Sequence, residues 1–213
     1  MGRRRRRGPV LSADGAKGEV TVEEPTAAER TVARRAAEAR ATVPDLELVA
    51  IAQVDEAPST ATLIRTCALA LAAHPRANGA YRDGRFELYT RVNVGMVVSD
   101  EERYLIPTVF DADRKSLAEL ERESERLAAQ ALAGELTAPA FTGATFTLWN
   151  AAPLGISGAS IPPVPPQAAA LAAGAPRRGE AMLTLACDHR ILYGVRAARF
   201  LREISSRLER AEV

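Results

Sequence analysis

The sequence predicts a single α+β domain. Three observations lead there. At 213 residues, 47% of them hydrophobic, the chain is long enough for one core and too short for two full-sized domains. Several stretches have the composition and periodicity of long helices. The strand candidates between them cluster like hairpins instead of alternating strictly with helices.

In order along the chain, residues 1–25 read as a disordered, Arg-rich tail. Arg3 to Arg7 repel one another beside Gly8, Pro9, Gly15 and Gly18, with little apolar surface to bury. An arm seeking phosphate or a membrane surface is the alternative there; a signal peptide is not, because no apolar segment follows the arginines. The domain then spans 26–213. Thr26 to Thr42 has high helix propensity and is stopped by Pro44. Leu46 to Val54 is a strand, and Thr60 to Ala73 is a helix apolar on most sides, hence buried. HPRANGAYRDGR carries turn punctuation. Phe86 to Thr90, Val92 to Val98 and Tyr104 to Val109 are strand candidates. Asp113 to Leu132 is the clearest helix: Ser116 and Glu119 form a capping box, Leu117, Leu120, Leu127 and Ala131 share a stripe, and Gly134 ends it. Strand Thr145 to Trp149 precedes an irregular Gly- and Pro-rich segment to Pro166. Strands Gln167 to Ala173 and Ala181 to Cys187 follow, then a helix from Val195 to Arg210.

Composition excludes several classes of function. With Lys+Arg 28 against Asp+Glu 27, the net charge of +1 argues against a generally basic nucleic-acid binder. No apolar run reaches the ~20 residues of a membrane span. Cys67 and Cys187 are too few for a disulfide framework and fit no zinc spacing, so the expectation is a reducing cytoplasm and no metal.

Two histidines are available for proton transfer. His74, at a helix end beside Pro75, reads as a capping or surface residue. His189 directly follows the strand MLTLAC, between Asp188 and Arg190, with Gly194 five residues on. A histidine just past a strand end can aim a ring nitrogen into a cleft while the sheet holds its backbone, which suits a general base. By itself that placement leaves base and structural residue equally open. Cys187 reads as a small buried hydrophobe rather than a nucleophile, and Asp188 as the residue that holds the turn.

The segments VARRAAEARATVPDLELVAIAQVD, LIRTCALALAAHPRANGAYRDG, YLIPTVFDADRKSLAELERESERLAAQALAGEL, FTGATFTLWN, PPQAAALAAGAP and LTLACDHRILYG occur in this order. From Thr26 to the C-terminus the chain thereby resembles the catalytic domain of the dihydrolipoyl acyltransferases of 2-oxoacid dehydrogenase complexes, a family whose fold is shared with chloramphenicol acetyltransferase. The resemblance implies a two-layer chloramphenicol acetyltransferase-like sandwich that forms trimers or larger assemblies of trimers. Its active site would lie in a channel between subunits, entered by CoA from one end and the acyl acceptor from the other. It also implies that His189 is the general base, that acetyl-CoA is a co-substrate rather than a resident cofactor, and that neither nucleic acid nor membrane is a partner. Asn150 and Gly194, which the motifs retain, carry over as substrate-binding positions.

Two departures stand out. The family's FTxSN supplies a serine hydroxyl to the oxyanion; here Trp149 occupies that position. The family's Asp or Asn four residues after the histidine is Tyr193 here. Losing one oxyanion donor typically costs a hundred- to a thousand-fold in rate. The Trp149 indole N–H is a replacement donor, and packing is the competing explanation; Tyr193 either donates to a substrate oxygen or fills space. Both are carried as candidate catalytic residues. Arg34 and Arg35 match the family's arginine pair, whose carboxylate partner would sit where Tyr193 now is.

With no lipoyl or subunit-binding segment expected upstream of Thr26, the sequence reads as a free-standing acyltransferase. Similar stand-alone proteins acetylate a hydroxyl of a tetronate polyketide intermediate, which makes O-acetyl transfer to a small metabolite in antibiotic biosynthesis the favoured reading. The alternatives are a non-catalytic trimeric scaffold and a core acyltransferase serving a lipoyl domain supplied in trans.

Overall fold

The computed structural model describes residues 20–101 and 103–210. The Arg3 to Arg7 run lies outside the described residues, and of the expected tail only 20–25 fall within them, all exposed.

Helix α1 (Ala27–Thr42) starts where Thr26 and Glu29 cap each other reciprocally. It hands the chain through Val43 and Pro44 to β1 (Asp45–Gln53). Helix α2 (Thr60–Ala73) is capped by the Ser59 hydroxyl. The stretch HPRANGAYRDGR, expected to be a turn, is a correction: a third of it is β2 (Gly79–Arg82), paired antiparallel with β3 (Arg85–Leu88), which starts at its last residue. Asp83 and Gly84, at φ 48° and 76°, make the two-residue Asp-Gly turn that matches strand twist. The expected strands Val92–Val98 and Tyr104–Val109 are each divided, into β4 (Val94–Met96) and β5 (Val98–Ser99), and β6 (Tyr104–Leu105) and β7 (Thr108–Val109). Pro107 has no N–H to continue the second strand. Helix α3 (Leu117–Ala133) begins later than Asp113, because a short 3₁₀ turn at Ala112–Arg114 precedes the Ser116–Glu119 capping box. Gly134 ends it at φ 73°. Strands β8 (Phe146–Asn150), β9 (Ala169–Ala173) and β10 (Glu180–Asp188) and helix α4 (Gly194–Glu209) complete the chain.

The six-stranded sheet runs β1-β10-β9-β8-β4-β7. β1, β10 and β9 are antiparallel neighbours, β9, β8 and β4 parallel ones, and β7 closes the far edge antiparallel. Helices α2, α3 and α4 cover one face, so the core is two layers deep, with Leu63, Ile64, Leu148, Leu185 and Phe200 fully buried. Period-2 alternation divides β1. Leu46, Leu48, Ala50 and Ala52 turn to the core, while Val49 and Ile51 turn away and are 58% and 44% exposed. Segment 155–166 crosses the opposite face. A Cβ on Gly174 would lie 2.0 Å from the Ser157 carbonyl oxygen, so only glycine lets that segment approach the sheet.

Candidate active site

His189 stands at the exposed end of β10. Its backbone N–H donates to Pro44 O at 2.9 Å. Its ring makes no hydrogen bond among the described residues, so both nitrogens are available to a substrate. The turn beneath it is fixed by Asp188, 1% exposed, whose carboxylate accepts from Arg190 Nε (2.9 Å), Nη2 (2.7 Å) and backbone N–H (3.0 Å). The Asp188 carbonyl takes the N–H groups of Ile191 and Leu192, and Arg190 stacks over the Tyr81 ring at 4.8 Å. That bidentate pair leaves the carboxylate committed to the turn rather than to His189. Tyr193, 46% exposed, meets the His189 ring edge-on at 6.2 Å between centroids. Gly194 opens α4 at φ 50°, a left-handed conformation that costs other residues about a kilocalorie.

Trp149 and Asn150 lie elsewhere. Trp149 pairs with Ala172 and Ala172 with Thr184, which precedes His189 by five residues. Strand spacings put the two side chains about 16 Å apart along the strands and about 10 Å across them within one chain. The structure therefore joins His189 with Tyr193 and Trp149 with Asn150, but not the two pairs. Asn150 is engaged internally: its amide donates to Pro58 O (3.3 Å) and Thr60 Oγ1 (3.2 Å), and its Oδ1 accepts from Ala152 N (3.2 Å). It ties β8 to the start of α2.

Two cavities flank β8. One, about 340 Å³, lies beside Met96, Val98, Ser124, Trp149, Asn150 and Leu154. The other, about 390 Å³, has Thr147 at its floor, helix α1 and Tyr104–Ile106 as walls, and Ile161–Val164 above. Thr147 Oγ1 donates to Gln167 Oε1 at 2.7 Å, and Gln167 Nε2 to Ala144 O at 3.2 Å, so the floor's polar groups are already paired. Sequence reading missed this cavity. Its trace was the apolar edge Ala28, Val32, Ala36 and Ala39 of an alanine- and arginine-rich helix.

The remaining candidates are structural. His74 caps α2 through its backbone and packs edge-on against Phe200 at 5.6 Å; burial lowers its pKa. Cys187 donates weakly to Leu46 O, and burial chiefly, with Asp188 and Asp45 adding, pushes its thiol up to about 12. Cys67 is raised further by complete burial. Arg34 has found Glu38 at 3.7 Å, whereas Arg35 borders the larger cavity and makes no ion pair among the described residues. No cluster of metal-ligating side chains occurs among the described residues. No described helix is long and apolar enough to cross a membrane.

Comparison with known proteins matches these elements to one group. Residues 50–213 fit the model of the 2-oxoacid dehydrogenases acyltransferase (catalytic domain). A dihydrolipoyllysine-residue acetyltransferase component of the Arabidopsis thaliana mitochondrial pyruvate dehydrogenase complex is 32% identical over 162 residues, covering 69% of this chain and 30% of that protein. The Mycobacterium bovis counterpart is 36% identical, over 66% of this chain and 29% of its own. The chain thus spans about a third of the length of these relatives. Azotobacter vinelandii dihydrolipoamide acetyltransferase superposes with a TM-score of 0.86 at 23% identity, over 96% of this chain and 98% of that one. A chloramphenicol acetyltransferase does so at 0.54 and 15%, over 82% and 94%. The two-layer sheet-and-helix fold is that of these acetyltransferases, and the chain belongs to the family of 2-oxoacid dehydrogenase acyltransferase catalytic domains.

Proposed function

We propose that this protein transfers an acyl group from acyl-CoA, acetyl-CoA in the first instance, to a hydroxyl of a small metabolite in the cytoplasm, with His189 as general base. The observation that carries the reading is the unengaged imidazole on a rigid strand end, its turn locked by the Asp188–Arg190 pair. Neutral His189 accepts the hydroxyl proton as the oxygen adds to the thioester carbonyl. The tetrahedral oxyanion then collapses, the carbon–sulfur bond breaks, and the imidazolium returns the proton to the leaving CoA sulfur. The Azotobacter protein has been investigated for the roles of a serine, a histidine and an asparagine in its mechanism. By the sequence resemblance, only the histidine survives here. The Trp149 indole N–H then replaces the serine hydroxyl as oxyanion donor, and the Tyr193 phenol stands in for the asparagine.

The separation of Trp149 from His189 within one chain supports a site completed by a second copy, in a trimer or a larger assembly of trimers. A tetronate polyketide intermediate is the acceptor we carry forward from the sequence resemblance. The names of the curated relatives favour a second reading, in which the acceptor or donor is a lipoyl group presented by another chain. Thiol release from acetyl-CoA, measured with small hydroxyl acceptors and with a lipoyl domain, separates the two. His189→Ala should lower either activity a hundred- to ten-thousand-fold, and His74→Ala should leave it unchanged. No release with any acceptor, or full activity in His189→Ala, would reject the reading and leave the scaffold alternative.

A further inference from the structure

The larger cavity has three properties that together define a ligand class. Its volume, about 390 Å³, lies within the range of about 300–1,000 Å³ typical of small-molecule sites. Its depth is lined by Val32, Leu105, Ile106, Phe141 and Ile161, and its floor offers no unpaired polar group, because Thr147 and Gln167 satisfy each other. A polar ligand group placed at that depth would lose its hydration without recompense. Arg35 alone among the lining residues carries a charge, and it is exposed with no ion pair among the described residues, while its neighbour Arg34 is held by Glu38.

We propose that this cavity is the acceptor subsite, and that it takes an amphiphilic anion: an aliphatic or cyclic hydrocarbon body in the cavity and a carboxylate or enolate against Arg35. The proposal rests on the acyltransferase reading for the word acceptor, and on the cavity alone for the ligand class. Thr147 and Trp149 share one face of β8, about 7 Å apart; Trp149 borders the smaller cavity, so only an occupant that extends beyond Thr147 and out of the larger cavity comes to the indole assigned to the oxyanion. A planar guanidinium pairs bidentately with a carboxylate, and because Arg35 is exposed that pairing adds a preference for the anion on top of the burial of the hydrocarbon body.

The test is binding to the whole protein, followed calorimetrically and by fluorescence of Trp149, the one tryptophan in the chain. Decanoate, below micellar concentration, should bind at least tenfold more tightly than decanol. Arg35→Gln should erase that preference while leaving decanol binding alone. Ala36→Trp, which adds a ring from an exposed position on the cavity wall, should abolish binding of both at an unchanged melting temperature and oligomeric state. Decanoate binding no tighter than decanol, or either ligand binding undiminished in Ala36→Trp, overturns the assignment; so does a cavity closed to both because a second copy fills it. The two readings fail separately. If decanoate binds as expected but thiol release from acetyl-CoA occurs with no acceptor, 3-hydroxydecanoate included, the acyltransferase reading falls and the ligand class stands. If acetyl is transferred only to polar acceptors and decanoate does not compete, the cavity assignment falls alone.

Discussion

Trp149 and Tyr193 separate a retuned site from a space-filling one. If they act as donors, Trp149→Phe and Tyr193→Phe keep most of the shape and remove the N–H and O–H. At least one should then lower kcat more than tenfold, about 1.4 kcal/mol of transition-state stabilisation. A packing role predicts near-normal rates in both and losses only in the alanine variants, which open cavities. Steady-state kinetics with acetyl-CoA decides between them. Cys187 lies immediately before the Asp188 turn, but its thiol stays protonated well above neutrality, with a pKa pushed up to about 12. Since thiolate is the reactive form, iodoacetamide at pH 8 should leave both cysteines unmodified in the native protein and alkylate both after denaturation. Native labelling of Cys187 would contradict the burial that explains its inertness.

Among the elements, the helices with local signals were the most legible. Thr26–Glu29 and Ser116–Glu119 both form capping boxes, of which only the second was read from the sequence. Removing the second by Ser116→Ala should cost about 1 kcal/mol, which a thermal melt reads as roughly 2–4 °C for a chain of this size. The hairpin β2–β3 was legible in principle, since Asp83-Gly84 sits between Tyr81 and Phe86, yet the surrounding Gly, Pro and Asn masked it as a turn. The division of the strands around Pro107 and the delayed start of α3 depend on which backbone groups find partners, and spacing alone does not encode that. For the site, His189, its turn and the Trp149 and Tyr193 departures were visible as residues in motifs. The larger cavity was not, because it is made by the approach of α1, β6 and 161–164 from distant parts of the chain. Gly174 is a further case. Its importance comes from the Ser157 carbonyl passing 2.0 Å from where a Cβ would be. Gly174→Ala must displace 156–158 from the sheet, and should destabilise the protein more than Ser116→Ala does in the same melt.

At the scale of the whole molecule, Trp149 and His189 lie toward opposite strand ends of one sheet. A site that needs both is built from two copies, and the exposed Val49 and Ile51 on the sheet face away from the helices leave apolar surface for such contacts. Light scattering at micromolar concentration should therefore give a trimer or a multiple of three. The most direct test mixes two impaired proteins. His189→Ala and Trp149→Ala chains, co-expressed in equal amounts, assemble at random. If each site takes His189 from one chain and Trp149 from the next, about a quarter of the sites in a cyclic assembly are intact. Thiol release from acetyl-CoA should then recover to about a quarter of the wild-type rate, far above either variant alone. A mixture no more active than its parents would contradict a site shared between copies.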